Sequence, residues 1–337
     1  MRTKIELENI EPFCEAWYID CFYNLVFSVL KHFNKDIREL LVNDIFLYKY
    51  SKNSLTMTVK SIRPLNELQN DIGIAVEEIA PGENLIVDFT ELLSKGSPLI
   101  VLQDLYFASY RNEFYMKNHH LHTVLLYGFD KDEKYFNIVE QSFMDSYFYK
   151  KMYASFSDIF NACEGAFNNF SDKAVSNMGF YLKDPSAPCN RPTDLNIYRQ
   201  KLIENYLKHK SEVEESIIHI ENFYNDFKDI ILREALFWEN VDSIIENCNL
   251  IISNKKADLY KYIKLFDSQP ELKLHLIESI INEWETIRGL LLKLRLTMSY
   301  KMQLLNSSMN RINNIIRLEH EFHNEFNKFA EKTRGNK

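Results

Sequence analysis

Three reactive side chains stand at the ends of predicted secondary-structure elements, and the first is Cys21. It directly precedes residues 22–33, which carry apolar side chains at helical spacing, so it lies at the start of a predicted helix. The partial positive charge at a helix start lowers the pKa of a thiol and makes it a better nucleophile. The alternative is an inert buried cysteine, because free cysteine is among the most buried residue types.

His122 and Glu140 stand on two neighbouring predicted strands. His122 opens the strand of residues 122–129, and Glu140 lies near the end of the strand of residues 134–141. A tight turn joins the strands, so an antiparallel hairpin could place the carboxylate beside the imidazole. Together with a helix-start cysteine, this set suits acyl chemistry. The thiolate attacks an acyl group, the histidine moves the proton, and the acid orients the imidazole.

A metal site is the alternative use of the histidines. His120 and His122 are two residues apart and could chelate an ion from one strand, and His119 lies beside them. No second cluster of His, Asp or Glu with ligand spacing accompanies them, so we expect no metal and place His119 and His120 in a polar loop. The five cysteines are scattered and form no CxxC pair, which argues against a disulfide framework or a zinc knuckle.

The elements that must position these side chains occupy the first half of the chain. Helical patterns cover residues 22–33 and 83–96. Because helices and strands do not alternate strictly, the pattern favours an α+β fold over a doubly wound sheet. The predicted strands are short, rich in β-branched or aromatic residues, and bounded by turn residues: 54–62, 98–107, 122–129, 134–141, 146–153 and 177–183.

A proline-rich stretch separates a second half of different character. Residues 185–194 are predicted as a linker between a first domain, residues 1–184, and a second domain, residues 195–337. The second domain has Leu, Ile, Glu, Lys and Asn at helical spacing, which predicts an all-α bundle of three to five long antiparallel helices. Its role stays open between packing on the first domain, homodimerisation and recognition of a partner.

Composition and charge exclude several classes of protein. The 337 residues are 46% hydrophobic and 26% charged, the balance of a globular protein. A formal net charge of −8 argues against nucleic-acid binding, because phosphate recognition needs a basic surface. No apolar stretch is long enough for a membrane span, and the N-terminus lacks the apolar core of a signal peptide. We therefore expect a cytoplasmic protein that binds neither nucleic acid nor membranes.

Three segments keep the order of motifs seen in a known family. They are DCFYNLVFSVLKHF (20–33), LLSKGSPLIVLQDLYFASY (92–110) and NHHLHTVLLYGFDKDEKYFNIVEQSF (118–143). Together they resemble the N-terminal domain of the butirosin biosynthesis protein H family, within the papain-like cysteine-enzyme superfamily. The resemblance covers about residues 10–183. It implies a papain-like first domain with Cys21 as nucleophile, His122 as base and Glu140 as the orienting acid.

Members of that family move an acyl group from a carrier protein's phosphopantetheine thioester to an amine. The butirosin enzyme acylates an aminoglycoside, and a similar enzyme of closthioamide assembly joins peptidyl chains to a diamine. The resemblance therefore implies an amide-forming acyltransferase of antibiotic or nonribosomal natural-product biosynthesis. It implies no bound cofactor, a phosphopantetheine arm as acyl donor, and an acyl or peptidyl carrier protein and a small-molecule amine as partners.

Two positions depart from the family's pattern. The closing acid is usually Asp, whereas Glu140 is one methylene longer. Many papain-like enzymes carry an oxyanion-hole Gln six residues before the cysteine, and here that position is Glu15, whose carboxylate would repel a developing oxyanion. Either Glu15 is not in the hole, or it is protonated, or another donor replaces it. The expected donor is the backbone N–H of Cys21, with the side chain of Asn24 as a weaker alternative.

Other interpretations of the same residues stay open. Asp104 and Tyr106 close a predicted strand, and Asp104 either supports the site or binds the amine, or it caps a turn. A papain-like hydrolase, either a peptidase or a thioesterase, would use the same three residues with water in place of the amine. A degenerate binding module without catalysis is the third possibility, because Glu15 and Glu140 both differ from the pattern.

Overall fold

The structure is a computed structural model that describes residues 3–82, 84–143, 148–170, 176–185, 194–266, 269 and 271–335. Two compact units can be separated. The first comprises Met1–Glu39 and Pro64–Pro192, and the second comprises Leu40–Arg63 and Thr193–Lys337. The described chain is mixed, with a sheet-rich N-terminal region and a helical C-terminal region.

The helices and strands of both units are numbered in chain order. The strands are β1 (Lys4–Glu6), β2 (Asp44–Ser51), β3 (Ser54–Ser61), β4 (Ala75–Ile79), β5 (Leu99–Asp104), β6 (Leu121–Asp130), β7 (Tyr135–Gln141), β8 (Tyr149–Ser155) and β9 (Gly179–Lys183). The helices are α1 (Cys21–His32), α2 (Arg38–Leu41), α3 (Leu65–Ile72), α4 (Leu85–Ser94), α5 (Phe156–Asn169), α6 (Leu195–Lys208), α7 (Lys210–Ile231), α8 (Glu234–Phe266), α9 (His275–Thr297) and α10 (Met302–Gly335), with a 3₁₀ turn at Leu105–Phe107.

The first unit is built on an antiparallel sheet. Its strand order is β4-β9-β5-β6-β7-β8, and β1 pairs with β6. One face of this sheet packs on α4 and α5 to form the core. Because successive side chains of a strand point to opposite faces, Gln103, His122 and Glu140 share that face with the apolar residues that precede or follow them. The core residues of that face are Leu99 and Val101 in β5, Val124 and Leu126 in β6, and Phe136 and Ile138 in β7.

The second unit combines a β-hairpin with helices. Strands β2 and β3 pair from Asp44↔Ser61 to Ser51↔Ser54, and they pack on α7 and α8. The hairpin buries Phe46 and Met57 on its apolar side, and the Asn254 amide of α8 donates to the Met57 carbonyl at 2.9 Å. The strand predicted at 54–62 is thus β3, but it belongs to the helical unit.

Two sequence predictions are corrected by this hairpin. The second unit is not all-α, and residues 40–63 do not belong with the rest of the predicted first domain, 1–184. The alternation of side chains predicts a strand, yet it does not say which layer will bury its apolar face. Residues 186–193, most of the predicted linker, lie outside the described residues.

The helical prediction for the C-terminal half is confirmed over the described residues. Helices α6 to α10 fall within the expected three to five, and Trp284 is fully buried among them. Of the helices that the described ranges contain, none is long and apolar enough to cross a membrane.

Candidate functional site

Cys21 is the first residue of α1. The bend that precedes it contains the capping residue Asp20 and the strained residue Ile19. The Asp20 carboxylate caps the helix by accepting the backbone N–H of Tyr23 at 3.0 Å. Ile19 has φ of 59°, a left-handed conformation that β-branched residues rarely adopt. Such local strain persists only where surrounding contacts hold it, and it is often found at functional sites. The bend therefore fixes the thiol at the helix start.

Asn24 fixes the same bend from inside the helix. Its Nδ2 donates to the Asp20 carbonyl at 2.9 Å, and its Oδ1 accepts from the backbone N–H of Tyr18 at 3.2 Å. The side chain is buried. These contacts use Asn24 to hold the backbone, which does not favour its predicted role as an oxyanion donor. The backbone N–H of Cys21 remains the expected oxyanion donor, because the first N–H groups of a helix have no partner within the helix.

Glu15 is directed away from the thiol. Its carboxylate pairs with Lys31 Nζ at 2.7 Å, and both side chains are partly exposed. Lys31 lies almost three turns after Cys21 on α1, or about 15 Å along the helix axis. This pairing agrees with the first alternative, that Glu15 is not in the oxyanion hole. The six-residue spacing matches the oxyanion-hole pattern, but the side chain pairs with Lys31 on the helix instead.

His122 stands between Cys21 and Glu140. Its Nε2 lies 2.9 Å from Glu140 Oε1, and its charge and hydrogen bonding act on the Cys21 thiol to lower the pKa of that group. Because Nε2 faces the carboxylate, Nδ1 is the ring nitrogen left for the sulfur. Both His122 and Glu140 are buried, which strengthens these charge interactions. His122 thus contacts Glu140 by a hydrogen bond, and its charge lowers the pKa of Cys21.

Glu140 is held by further donors besides the imidazole. Gln103 Nε2 donates to its Oε2 at 2.7 Å, and Arg111 Nη1 donates to its Oε1 at 2.8 Å. The backbone N–H of Gln141 adds a third contact to Oε1 at 2.8 Å. Gln103 is itself oriented, because its Oε1 accepts from the Tyr110 hydroxyl. The carboxylate is therefore fixed on both oxygens.

Arg111 and Gln103 were not predicted from the sequence. Gln103 pairs directly with His122 across β5 and β6, so the strand register would have pointed to it once the pairing was known. Arg111 lies in the loop after the 3₁₀ turn, where no periodicity marks a functional side chain. Its side chain is only 2% exposed, and Nη2 also binds Glu113 at 2.8 Å. A buried guanidinium compensates the charge of a buried carboxylate.

The titration of the three residues follows from these contacts. Burial raises the pKa of the Cys21 thiol, but the charge and hydrogen bond of His122 outweigh burial and bring this pKa below its ordinary value. Burial lowers the pKa of His122, but the charges of Glu140 and Cys21 raise it to about 10. Burial raises the pKa of Glu140, whereas His122 and then Arg111 lower it overall. The arrangement favours a thiolate, an imidazolium and a carboxylate.

Two other cysteines provide the contrast. Cys163 and Cys248 are fully buried, and burial raises the pKa of both thiols, that of Cys248 to about 12. Neither has a histidine among the causes of its shift. Arg288 lowers the pKa of Cys248 without offsetting burial, so both thiols stay protonated and inert at neutral pH. The environment of Cys21 therefore differs from that of a structural cysteine.

Asp104 organises a separate polar cluster. Its carboxylate accepts from His119 Nδ1 at 2.6 Å, from Asn169 Nδ2 at 2.9 Å and from the backbone N–H of Tyr106 at 3.1 Å. Burial raises the pKa of Asp104, but the His119 and Asn169 hydrogen bonds lower it overall. The Tyr106 ring stacks on the His119 ring at 4.3 Å. These are the contacts of the turn-capping alternative for Asp104.

Neither a metal site in the described residues nor a similar protein indicates what this chain does. Over the ranges that the structure describes, no group of three or more His, Cys, Asp or Glu residues is arranged to hold a metal ion. The chain matches no protein-family model and no curated protein. What the protein does must therefore be argued from Cys21, His122, Glu140 and their surroundings.

Proposed function

We propose that this protein is a papain-like cysteine acyltransferase that forms an amide bond in natural-product biosynthesis. It would take an acyl or peptidyl group from the phosphopantetheine thioester of a carrier protein, hold it on Cys21, and pass it to an amine. One observation carries the proposal: His122 is hydrogen-bonded to Glu140, and its charge lowers the pKa of Cys21, the first residue of α1. A thiol activated by a neighbouring imidazole supplies a nucleophile and a proton carrier.

In the acylation half-reaction, the Cys21 thiolate attacks the thioester carbonyl. A carbon–sulfur bond forms, and the carbonyl electron pair moves to oxygen. The intermediate collapses by breaking the bond to the pantetheine sulfur. The leaving thiolate takes the proton of the His122 imidazolium, which leaves an acyl-Cys21 thioester and a neutral imidazole.

In the second half-reaction, an amine attacks the acyl-Cys21 carbonyl. Neutral His122 accepts a proton from the attacking nitrogen, and the intermediate expels the Cys21 thiolate. An amide is formed and the thiolate–imidazolium pair is restored. The reaction runs towards the amide because an amide is more stable than the thioester it replaces.

Glu140 would act as the orienting acid in both steps. A carboxylate on Nε2 fixes the ring so that Nδ1 faces the sulfur. A glutamate has one more rotatable bond than the aspartate usual in the resembled family, so it needs more support. Gln103 and Arg111 give that support, since each binds the carboxylate at 2.7–2.8 Å. The longer side chain is thereby compatible with a fixed imidazole.

The non-catalytic alternative loses part of its basis. It rested on two departures from the family pattern, and Glu15 is paired with Lys31 rather than placed against an acyl oxygen. The other departure, Glu140, is the residue that holds His122 at 2.9 Å. A lowered thiol pKa at Cys21 has no structural benefit, because it favours a buried charge.

The proposal is tested by intact-mass measurement after incubation with an acyl-loaded carrier protein, or with an acyl-pantetheine thioester. We expect one acyl group on the wild-type protein and none on Cys21→Ala. Cys248→Ala is the control, because burial raises the pKa of the Cys248 thiol, and this variant should still be acylated. An adduct that survives in Cys21→Ala, or no adduct on the wild type, would refute the proposal.

A second stage separates transfer from hydrolysis. The acylated protein is freed from donor and mixed with a small diamine or an aminoglycoside, or with buffer alone. Amide formation at a rate above spontaneous release of the acid supports the transferase. Release of free acid at the same rate in both mixtures identifies a hydrolase.

A further inference from the structure

Tyr149 is a rigidly held residue beside the site that the proposed mechanism has not yet used. It opens β8, and its ring stacks on Trp17 with 6.5 Å between ring centroids. Its backbone is tied to Cys14, because the Tyr149 N–H donates to Cys14 Sγ at 3.3 Å and Cys14 Sγ donates to the Tyr149 carbonyl at 3.3 Å. The residue is 5% exposed. Ring and backbone are therefore both fixed.

The Tyr149 hydroxyl is buried without a completed hydrogen bond in the described part of the chain. Buried polar groups are nearly always satisfied, and an unsatisfied hydroxyl lowers the stability of the folded state. Tyrosine usually finds a partner when it is buried. A fixed hydroxyl left unsatisfied is therefore expected to serve a group that is absent from the resting protein.

The contacts of Tyr149 place it against the segment that leads into α1, because Cys14 and Trp17 stand shortly before Cys21 in the chain. Burial raises the pKa of Tyr149 well above its ordinary value, and the charges of Cys21, Glu140 and Asp20 raise it further, in that order. The Asn24 amide, one turn after Cys21 on the helix, approaches the hydroxyl without satisfying it. The hydroxyl thus stays protonated and remains a donor, and the charge of Cys21 is among those that act on it.

An oxyanion formed on Cys21 would need such a donor. Glu15 is paired with Lys31, and the Asn24 amide holds the bend before α1. The backbone N–H of Cys21 can supply one hydrogen bond at the helix start. A neutral hydroxyl is suited to supply the second, because it donates without adding negative charge.

We propose that the Tyr149 hydroxyl donates a hydrogen bond to the oxyanion of the tetrahedral intermediates on Cys21, together with the Cys21 N–H. The inference rests on the acyl transfer proposed above and names its second oxyanion donor. When the sulfur–carbon bond forms, the carbonyl electron pair moves to oxygen and that oxygen accepts the hydrogen bond. When the intermediate collapses, the pair returns to the carbonyl. Tyr149 keeps its proton throughout, and His122 alone transfers one.

The test compares two reactions of Cys21 in the full-length protein. Acylation by an acyl-pantetheine thioester passes through an oxyanion, whereas alkylation by iodoacetamide displaces iodide directly at carbon and forms none. For Tyr149→Phe we expect acylation to slow by about 10²-fold, the scale of losing one oxyanion donor. Alkylation should stay within about 2-fold of wild type, because the change leaves the thiolate–imidazolium pair intact. Tyr153→Phe is the matched control on the same strand, 67% exposed, and should change neither rate.

The outcomes separate the inference from the function on which it rests. If the wild type is acylated and Tyr149→Phe is acylated at a rate within about 3-fold of the wild-type rate, the oxyanion role is overturned. The acyltransferase proposal is then unaffected. Equal losses in acylation and alkylation also overturn it, because the hydroxyl would then act on the thiol. No acylation of the wild type overturns both. We also expect Tyr149→Phe to melt at or above the wild-type temperature, since it removes an unsatisfied buried hydroxyl.

Discussion

Replacement of Glu140 by Gln isolates the charge that controls His122. The substitution keeps the size of the side chain and an acceptor for Nε2, but it removes the negative charge 2.9 Å from the ring. With an effective dielectric constant of about 20, two unit charges at that distance attract by roughly 6 kcal/mol. Burial of the imidazolium opposes part of this attraction. We therefore expect the pKa of His122, about 10 in the wild type, to fall by about three units.

The consequence for the thiol can be worked out at pH 8. With a pKa of about 10, roughly 99% of His122 is imidazolium, whereas with a pKa near 7 about 9% is. The Cys21 thiolate is stabilised by that imidazolium, so the population of the ion pair should fall by about 10-fold. The fall should be larger at higher pH and small below about pH 6.5.

The assay is the rate of Cys21 alkylation by iodoacetamide as a function of pH, with the thiolate absorbance in the ultraviolet as a second readout. The upper apparent pKa of the ion pair should move from about 10 towards 7 in Glu140→Gln. Glu113→Gln is the control, because Glu113 is the other carboxylate on Arg111 and its bond to that residue is at 2.8 Å. An unchanged upper pKa in Glu140→Gln would show that Glu140 does not set the charge of His122.

Three further outcomes follow from the same contacts. Arg111→Met leaves the buried Glu140 charge without its guanidinium, so urea unfolding should show a loss of about 3–5 kcal/mol, and a double variant with Glu140→Gln should recover part of it. Asp20→Ser keeps an N-cap but removes a charge that raises the pKa of the Cys21 thiol. The lower apparent pKa in the alkylation profile of Cys21 should therefore fall, and an unchanged or higher value would contradict this. Because the folded-state pKa of His122 is raised from 6.5 to about 10, its contribution to stability is complete below about pH 6.5 and is lost as the pH rises towards 10. The urea midpoint should decline across that window in the wild type and less in His122→Gln, and equal declines would contradict the shift.

The residues that bind the Glu140 carboxylate show that a motif can differ from a family pattern and still place its acid beside the histidine. A glutamate where the family usually has aspartate is, in sequence, a departure that weakens the assignment. In the folded protein Gln103, Arg111 and the backbone of Gln141 fix its carboxylate, and it reaches His122 Nε2. The supporting residues come from another strand and a loop, and only the motif is visible along the chain.

The sequence by itself determined the elements whose causes are local. The apolar spacing after Cys21 and the capping Asp20 define the start of α1, and the helix begins at the predicted place. Alternating side chains likewise predicted β5, β6 and β7, and so the positions of His122 and Glu140 at strand ends. Strands with weaker local patterns were missed. They are β1, β2 and β4, which are short, or carry charged side chains, or depend on pairing with a distant strand.

Only the tertiary structure decided which of these residues meet, and with what support. Glu15 pairs with Lys31 of α1, although its spacing from Cys21 suggested an oxyanion hole. Arg111 reaches Glu140 from a loop, and Tyr149 reaches Cys14 and Trp17 from a strand far along the chain. Periodicity along a chain reports which face of an element is buried. Contacts between distant segments depend on register, loop path and charge compensation, and these are fixed only when the sheet and its helices pack together.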